Sequence, residues 1–168
     1  MMANGSLAPT LSLEDRVRRL EDVEAIQRVM TRYGSLVDND YDLVGMEGIL
    51  TEDLVWSSNA FGSYGNRREY LEGQAKISTG VAWAFHVMTP IEVEIESDDT
   101  GSGVFYLLML GTFIDGAGGG SEPVVVSARY NNGFRREDHA WRCSRMNVHF
   151  HQVSRLSEGW VRDPFWSS

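Results

Sequence analysis

The chain has 168 residues, of which 42% are apolar and 23% charged, and its formal net charge at pH 7 is −9. This length predicts one domain, and the composition excludes a disordered tail, a collagen-like fibre and a low-complexity array. The acidic charge argues against phosphate backbones and anionic lipids, so we expect neither nucleic acid nor a membrane as a partner.

The first half of the chain has a mainly helical pattern. Residues 1–10 are small and polar, and we expect them to be flexible. Ser12 and Asp15 have the spacing of a capping box, after which apolar residues recur at steps of three and four as far as Val37. A second, shorter helix is predicted for residues 42–50, and Asn66 is placed to cap a third helix.

Strands dominate the second half, because the apolar period changes to two from residue 81 onward. A short strand at residues 54–56 precedes the third helix, and the glycine run 116–120 is predicted to be a hairpin loop. Four further strands are predicted, at residues 91–96, 104–114, 124–136 and 141–153. Helices followed by an antiparallel meander predict an α+β fold, with the helices on one face of a curved sheet.

We expect residues 11–168 to form a single domain and to assemble into a homo-oligomer. The strand at residues 104–114 is apolar on both faces, so both faces need cover. The helices supply one cover, and a second subunit in a dimer or trimer is the interpretation for the other.

The cysteine content indicates a reducing compartment. The chain has one cysteine, Cys143, which cannot form an internal disulfide. The N-terminal residues lack the apolar stretch of a secretion signal, and the longest apolar run, residues 104–110, is too short to span a bilayer. These observations predict a cytoplasmic location.

His149 and His151 lie two residues apart on one predicted strand and therefore share a face. Two imidazoles on one face can bind a metal ion. The sequence places no third ligand in register with them, so we predict no metal site. The alternative is that both side chains line a wall or an interface.

His86 is the strongest candidate for chemistry, because it lies in the aromatic and apolar segment Trp83-Ala84-Phe85-His86-Val87-Met88. Burial there favours the neutral imidazole, which suits a general base. The alternative is a core histidine bonded to backbone. Counting back from Ile91 places His86 on the face of the glutamates. The hypothesis therefore requires an irregularity near Pro90, which cannot donate to a strand ladder.

Tyr33 and Asp38 lie at the end of the first predicted helix. Tyr33 continues the apolar stripe of the helix, so core packing is its alternative role. Asp38 follows Leu36-Val37 and has helix termination as its alternative role. A carboxylate at the mouth of an apolar cavity can instead hold an imidazole in one tautomer and stabilise its cation.

The predicted helices and strands, in their order along the chain, resemble the SnoaL-like branch of the NTF2-like α+β cone family, from about residue 13 to residue 164. The set is most similar to bile-acid 7α-dehydratases, and more distantly similar to hexachlorocyclohexane dehydrochlorinases and scytalone dehydratases. The matching segments are Glu24-Ala25-Ile26-Gln27 leading to Tyr33 and Asp38, His86 with Thr89-Pro90, Phe105-Tyr106-Leu107 to Ile114-Asp115-Gly116, Trp141, and Arg162-Asp163-Pro164.

The resemblance implies a cofactor-independent lyase, a dehydratase, or an isomerase that acts on a small hydrophobic, steroid-like or polycyclic substrate. His86 would take a proton from carbon, Asp38 would orient His86, and Tyr33 would assist as the third catalytic residue. Tyr33 precedes Asp38 by five residues, which is the spacing in the bile-acid enzymes. The cone-shaped cavity that we expect would bind substrate through Trp56, Ser58, Phe61, Tyr64, Trp83, Met109, Asn147, His149 and His151.

Three positions depart from the bile-acid enzymes, which have Tyr at Ser58, Asp at Met109 and Arg at about Phe150. These changes make the pocket less polar, and His149 or His151 would supply a replacement polar group.

Two alternative functions stay open. One is a polyketide cyclase of the same fold, and the other is a non-catalytic subunit similar to the β subunit of ring-hydroxylating dioxygenases. Contact between Asp38 and His86 inside a cavity favours the enzyme, whereas a filled core favours the subunit.

Overall fold

The computed structural model describes residues 11–114 and 120–165. The predicted flexible segment 1–10 lies outside these residues, as does most of the glycine run 116–120. No helix in the described part of the chain is both long and apolar enough to cross a membrane. The elements in chain order are α1 (Leu13–Asp38), α2 (Leu43–Glu47), β1 (Leu50–Ser58), β2 (Ser63–Tyr64), α3 (Arg67–Ser78), β3 (Val81–Ile95), β4 (Thr100–Ile114), β5 (Ser121–Glu137), β6 (Ala140–Arg155) and α4 (Gly159–Arg162).

The helix boundaries follow from side-chain caps. The Ser12 hydroxyl accepts the backbone N–H of Asp15 at 3.1 Å, so α1 begins as predicted. The Asn66 side chain accepts the backbone N–H of Glu69 at 2.9 Å and caps α3. α2 is shorter than predicted: Asp42 is its N-cap, and the helix ends at Glu47, three residues before the first residue of β1.

The strands form one six-stranded sheet in the order β2-β1-β6-β5-β4-β3. β3 to β6 make the predicted antiparallel meander, whereas β1 pairs in parallel with β6 and antiparallel with β2. Asp138 and His139 have φ of 49° and 64° and join β5 to β6 through a tight hairpin turn. The α+β class, with helices on one face of a curved and mostly antiparallel sheet, is confirmed.

α1 crosses the sheet at close range over β3. Met30, Tyr33 and Val37 on the inner side of α1 are each no more than 5% exposed. Gly34 makes the closest approach, because a Cβ atom there would lie 3.2 Å from Met88 Cγ and 3.4 Å from His86 Cβ. The helix therefore brings its C-terminal turn directly against the middle of β3.

The opposite face of β3 and β4 is apolar and open to solvent. Side chains alternate along both strands, so that Leu107 and Met109 are buried while their neighbours Leu108 and Leu110 are half exposed. The outward members are between 40% and 55% exposed, and they are Trp83, Phe85, Val87, Tyr106, Leu108 and Leu110. The homo-oligomer stays a prediction, with this face as its expected interface.

We expect the protein to sediment as a dimer or trimer of the 18.9 kDa chain. A charge at the centre of the open face should disfavour its burial, so Leu108→Glu should sediment as the monomer. Val44→Glu is the matched control, because Val44 is 82% exposed on α2. A wild-type protein that sediments as a monomer at all concentrations contradicts the prediction.

Asp22 ties the first half of α1 to the β5–β6 hairpin. It is 7% exposed, and it accepts hydrogen bonds from Arg136 Nη2 at 2.6 Å and from Trp141 Nε1 at 3.0 Å. The guanidinium of Arg136 lies 4.5 Å from the centre of the Trp141 ring. The carboxylate thus satisfies the buried indole N–H of Trp141 and pairs with Arg136, whose Nε also donates to the backbone oxygen of Asp98 at 2.9 Å.

Replacement of Asp22 by Ala should lower the free energy of unfolding by about 2 kcal/mol, because it leaves the buried indole N–H of Trp141 unpaired and removes the ion pair with Arg136. Glu24→Ala removes the exposed ion pair with Arg28 one turn away, and should cost less than about 0.5 kcal/mol. Urea denaturation of the two variants measures the difference. Equal losses in both variants would show that the buried carboxylate does not anchor the hairpin.

Candidate active site

Asp38 and His86 are in contact, although 48 residues separate them in the chain. Asp38 Oδ1 lies 2.6 Å from His86 Nδ1, and both carboxylate oxygens lie 3.0 Å from the backbone nitrogen of His86. Because a carboxylate only accepts, Nδ1 carries a proton in this contact. Nε2 is therefore the ring nitrogen left to accept a proton, and the ring lines a cavity.

An irregularity in β3 gives His86 its orientation. The pairing of β3 with β4 shifts register between Pro90 and Glu92, where the sequence requires a break. On one side of the shift Ala84 and His86 point inward, and on the other side Val93 and Ile95 do so. His86 therefore points inward because of the irregularity near Pro90 that the hypothesis required. A regular strand from Ile91 would turn the imidazole to the outer face.

Burial and the carboxylate act on the imidazole in opposite directions. The side chain of His86 is 8% exposed, and this desolvation lowers its pKa below 6.5. The hydrogen bond to Asp38 and the charge of that carboxylate raise the pKa, but they do not cancel the effect of burial. His86 is therefore neutral at pH 7, the form that can accept a proton.

Tyr33 lies in a cluster of buried tyrosines and lines the same cavity as His86. Its hydroxyl is 2.8 Å from that of Tyr70, and its ring packs edge to face on Tyr130 with centres 6.4 Å apart. Burial, followed by the neighbouring Tyr70, raises the pKa of Tyr33 well above 10.0. The Tyr33 hydroxyl thus stays protonated, and its bonding is directed to another tyrosine.

The cavity that His86 faces has a volume of about 170 Å³. Its wall is formed by α1, α3 and the inner faces of β3 to β6, with Phe61 half exposed at its edge. Phe61 packs edge to face on Phe150, with ring centres 4.9 Å apart. The lining residues are Tyr33, Val37, Tyr41, Trp56, Phe61, Gln74, Ile77, His86, Leu107, Met109, Phe113, Val126, Tyr130, Phe150 and Val153.

Of the predicted site residues, five line this cavity: Tyr33, Trp56, Phe61, His86 and Met109. Asp38 stands behind the ring of His86, with its side chain 25% exposed. These six positions come from α1, β1, the turn after β1, β3 and β4, so the fold brings together groups that are distant in sequence.

Four predicted substrate-binding residues lie on the outer face instead. Trp83 is 55% exposed, because it is three residues from His86 and so occupies the opposite face of β3. Asn147, His149 and His151 are exposed on the outer side of β6, and Asn147 donates to Ser57 Oγ at 2.9 Å. The rings of His149 and His151 lie 5.5 Å apart, centre to centre. None of the four reaches the cavity.

Ser58 and Tyr64 lie close to the cavity without lining it. The Ser58 hydroxyl accepts the backbone N–H of Phe61 at 2.7 Å and so fixes the turn that carries Phe61. Tyr64 packs behind the cavity wall, with its ring centre 5.4 Å from that of Trp56. Both predicted residues support lining residues instead of facing a ligand directly.

Three other polar residues of the cavity, Tyr41, Gln74 and Tyr130, were not predicted from the sequence. Tyr130 could have been found, because the alternation Val124, Val126, Ala128 continues to it along β5. Gln74 lies one helical turn after Tyr70 on α3 and is 7% exposed. Its amide has no hydrogen-bond partner in the described ranges. Tyr41 lines the cavity as well, and no local pattern pointed to it.

A larger open groove of about 560 Å³ lies between α2, α3 and β1. Charged surface residues such as Glu47, Arg67 and Glu72 line it, and none of the predicted site residues lies there. Within residues 11–114 and 120–165, no group of three histidines, cysteines or carboxylates is arranged to hold a metal ion. The cavity at His86 is therefore the candidate active site.

Curated relatives share sequence with 61% of this chain. Hexachlorocyclohexane dehydrochlorinase 1 from Sphingobium indicum is 25% identical over 107 residues, which is 61% of this chain and 64% of that protein. Gamma-hexachlorocyclohexane dehydrochlorinase from the same species is 23% identical over 108 residues, with the same two coverages of 61% and 64%. The chain thus spans less than two thirds of the curated relatives it matches.

Solved structures and a family model agree on the fold. A hexachlorocyclohexane dehydrochlorinase from Novosphingobium barchaimii has a TM-score of 0.74 at 22% identity, covering 84% of this chain and 94% of that one. A scytalone dehydratase-like protein from Novosphingobium aromaticivorans has a TM-score of 0.73 at 16% identity, covering 82% and 89%. These similarities show the NTF2-like fold. Because residues 18–147 match the model of the SnoaL-like domain, the chain belongs to that family.

Proposed function

We propose that the protein is a cofactor-independent lyase that removes a proton from carbon on a compact, neutral, hydrophobic substrate. The contact of 2.6 Å between Asp38 and His86, at the wall of an apolar cavity, is the observation that carries the proposal. Relatives named as dehydrochlorinases, which eliminate a leaving group, support the same class of reaction.

His86 is the proposed base. Its Nδ1 is bonded to Asp38, so Nε2 is available to a substrate in the cavity, and burial keeps the ring neutral at pH 7. When Nε2 accepts a proton, the imidazolium forms next to the carboxylate that already holds it. Asp38 also accepts the backbone N–H of His86, which fixes the position of the carboxylate.

The cavity size argues for one ring in the substrate. A cavity of about 170 Å³ compares with the ~150 Å³ that holds a benzene molecule, whereas sites for drug-sized ligands measure ~300–1,000 Å³. The steroid-like or polycyclic substrate expected from the sequence would exceed it. The same limit disfavours a polyketide cyclase, whose substrate has several rings.

The lining chemistry argues for a neutral substrate. No lysine or arginine is among the lining residues that the structure describes, and the polar lining groups are imidazole, phenol and amide. A carboxylate or phosphate substrate would lie in this apolar setting without a counterion. A β-hydroxy ketone fits: His86 takes the proton α to the carbonyl, a C=C bond forms, and the hydroxyl leaves as water with that proton.

The alternative of a non-catalytic subunit receives less support. A subunit used only for assembly has no need of a cavity, yet here His86 lines one. A chlorinated cyclohexane is a second candidate substrate, favoured by the names of the relatives.

Replacement of His86 by Ala should lower kcat/KM by about 100- to 10,000-fold, because the general base is removed. The probes are 3-hydroxycyclohexanone, followed by the absorbance of 2-cyclohexenone, and γ-hexachlorocyclohexane, followed by chloride release. His149→Ala, on the outer face, is the matched control and should leave the rate unchanged. A His86→Ala protein as active as the wild type would contradict the proposal.

The acid limb of activity should lie below pH 6.5, because burial lowers the pKa of His86 and protonation removes the base. Asp38→Asn removes the charge that raises this pKa. The pKa of His86 should therefore fall further in the variant, although the rate at the plateau also drops. NMR titration of the His86 ring measures this pKa in both proteins. A higher pKa of His86 in Asp38→Asn than in the wild type contradicts the opposing effects of burial and Asp38.

A further inference from the structure

The chain between α1 and α2 adopts an uncommon backbone conformation. Asp40 and Tyr41 have φ of 54° and 55°, so two successive residues other than glycine occupy the left-handed region. Two backbone hydrogen bonds hold the segment, from Tyr41 N to Val37 O at 3.1 Å and from Asp42 N to Leu36 O at 2.9 Å. Bulky residues rarely adopt this conformation without a reason in the surrounding structure.

The result of this conformation is the direction of the Tyr41 side chain. The ring lines the cavity together with His86. Its hydroxyl has no hydrogen-bond partner within the described part of the chain. Burial, and then the charge of Asp38, raises the pKa of Tyr41 to about 12. The hydroxyl therefore stays protonated at pH 7 and is free to donate to a ligand.

Tyr33 differs from Tyr41 in this respect. Its hydroxyl lies 2.8 Å from that of Tyr70, and it interacts with Tyr130 as well. A hydroxyl that already exchanges hydrogen bonds with neighbouring tyrosines is less available to a substrate than one without a partner. The residue expected from the family resemblance to assist the reaction is thus engaged elsewhere, whereas Tyr41 is not.

We propose that Tyr41 is a catalytic residue whose hydroxyl donates a hydrogen bond to the carbonyl oxygen of the substrate while His86 removes the adjacent proton. This inference rests on the proposed function. As the C–H bond breaks, its electron pair forms a C=C bond and the carbonyl π electrons move to oxygen. Tyr41 stabilises that oxyanion. The carbonyl then re-forms, the β-hydroxyl departs, and the proton on His86 leaves with it as water.

A one-ring phenol tests the donor apart from turnover. 4-Nitrophenol matches the oxyanion in shape, and the absorbance of its phenolate reports ionisation. Below the pKa that 4-nitrophenol has in solution, the wild-type protein should bind it as phenolate, with the phenol proton transferred to His86. His86→Ala should therefore lose the phenolate signal.

Tyr41→Phe keeps the ring and removes the hydroxyl, so affinity for the phenolate should fall about 10- to 100-fold, the equivalent of one hydrogen bond to a charged group. Tyr106→Phe is the matched control, because Tyr106 is 44% exposed on the outer face, and its affinity should stay within about threefold of wild type. Tyr33→Phe removes the competing hydroxyl and should lose less affinity than Tyr41→Phe. On 3-hydroxycyclohexanone, Tyr41→Phe should lower kcat about 100-fold with little change in KM.

The outcomes separate this inference from the function on which it rests. A phenolate signal that depends on His86 but survives Tyr41→Phe overturns the role of Tyr41 and leaves the base in place. A loss in Tyr33→Phe alone also overturns it, and returns the role to Tyr33. Turnover without any phenolate signal in the wild type overturns the inference, whereas absence of both turnover and signal overturns the proposed function.

Discussion

The contact between Asp38 and His86 organises the site because it satisfies a requirement of the sheet. β3 is an edge strand, and an edge strand presents backbone N–H groups without a strand partner. The carboxylate of Asp38 accepts the backbone N–H of His86 as well as its ring nitrogen. One side chain at the end of α1 therefore satisfies a backbone N–H at the edge of the sheet, docks the helix and orients the imidazole. In the proposed reaction, the same carboxylate also stabilises the imidazolium.

That contact depends on two features that are not catalytic. Gly34 lets α1 approach β3 so closely that a Cβ atom would lie 3.4 Å from His86 Cβ, and the C-terminal turn then reaches the strand. The register shift between Pro90 and Glu92 turns His86 inward while Val93 and Ile95, beyond the shift, also face the core. A regular strand would have exposed either His86 or the pair Val93 and Ile95. The irregularity therefore allows one strand to contribute both to the core and to the candidate site.

The sequence predicted what local rules control. Ser12 and Asn66 are helix caps that the sequence pattern alone predicts. The alternation of apolar and polar residues predicted the strands of the meander. Two predicted substrate-binding residues were placed wrongly because the alternation of side chains along a strand was not applied. Trp83 cannot share a face with His86 three residues away, and His149 lies on the solvent-exposed face of β6. Tyr41 was out of reach, because its direction depends on a left-handed backbone that nothing in its own sequence favours.

Aromatic residues, which make up 11% of the chain, explain why the cavity is small. Trp56 and Phe61 line it, but Tyr64 packs behind the wall and Phe105 is buried at 1% exposure against Phe134. Aromatic bulk therefore fills much of the cone and leaves about 170 Å³ beside His86. An apolar wall strengthens each electrostatic interaction beside it, because its effective dielectric constant is lower than that of water. The same packing lowers the pKa of His86 through burial and, in the proposed reaction, strengthens the hydrogen bond that Tyr41 donates.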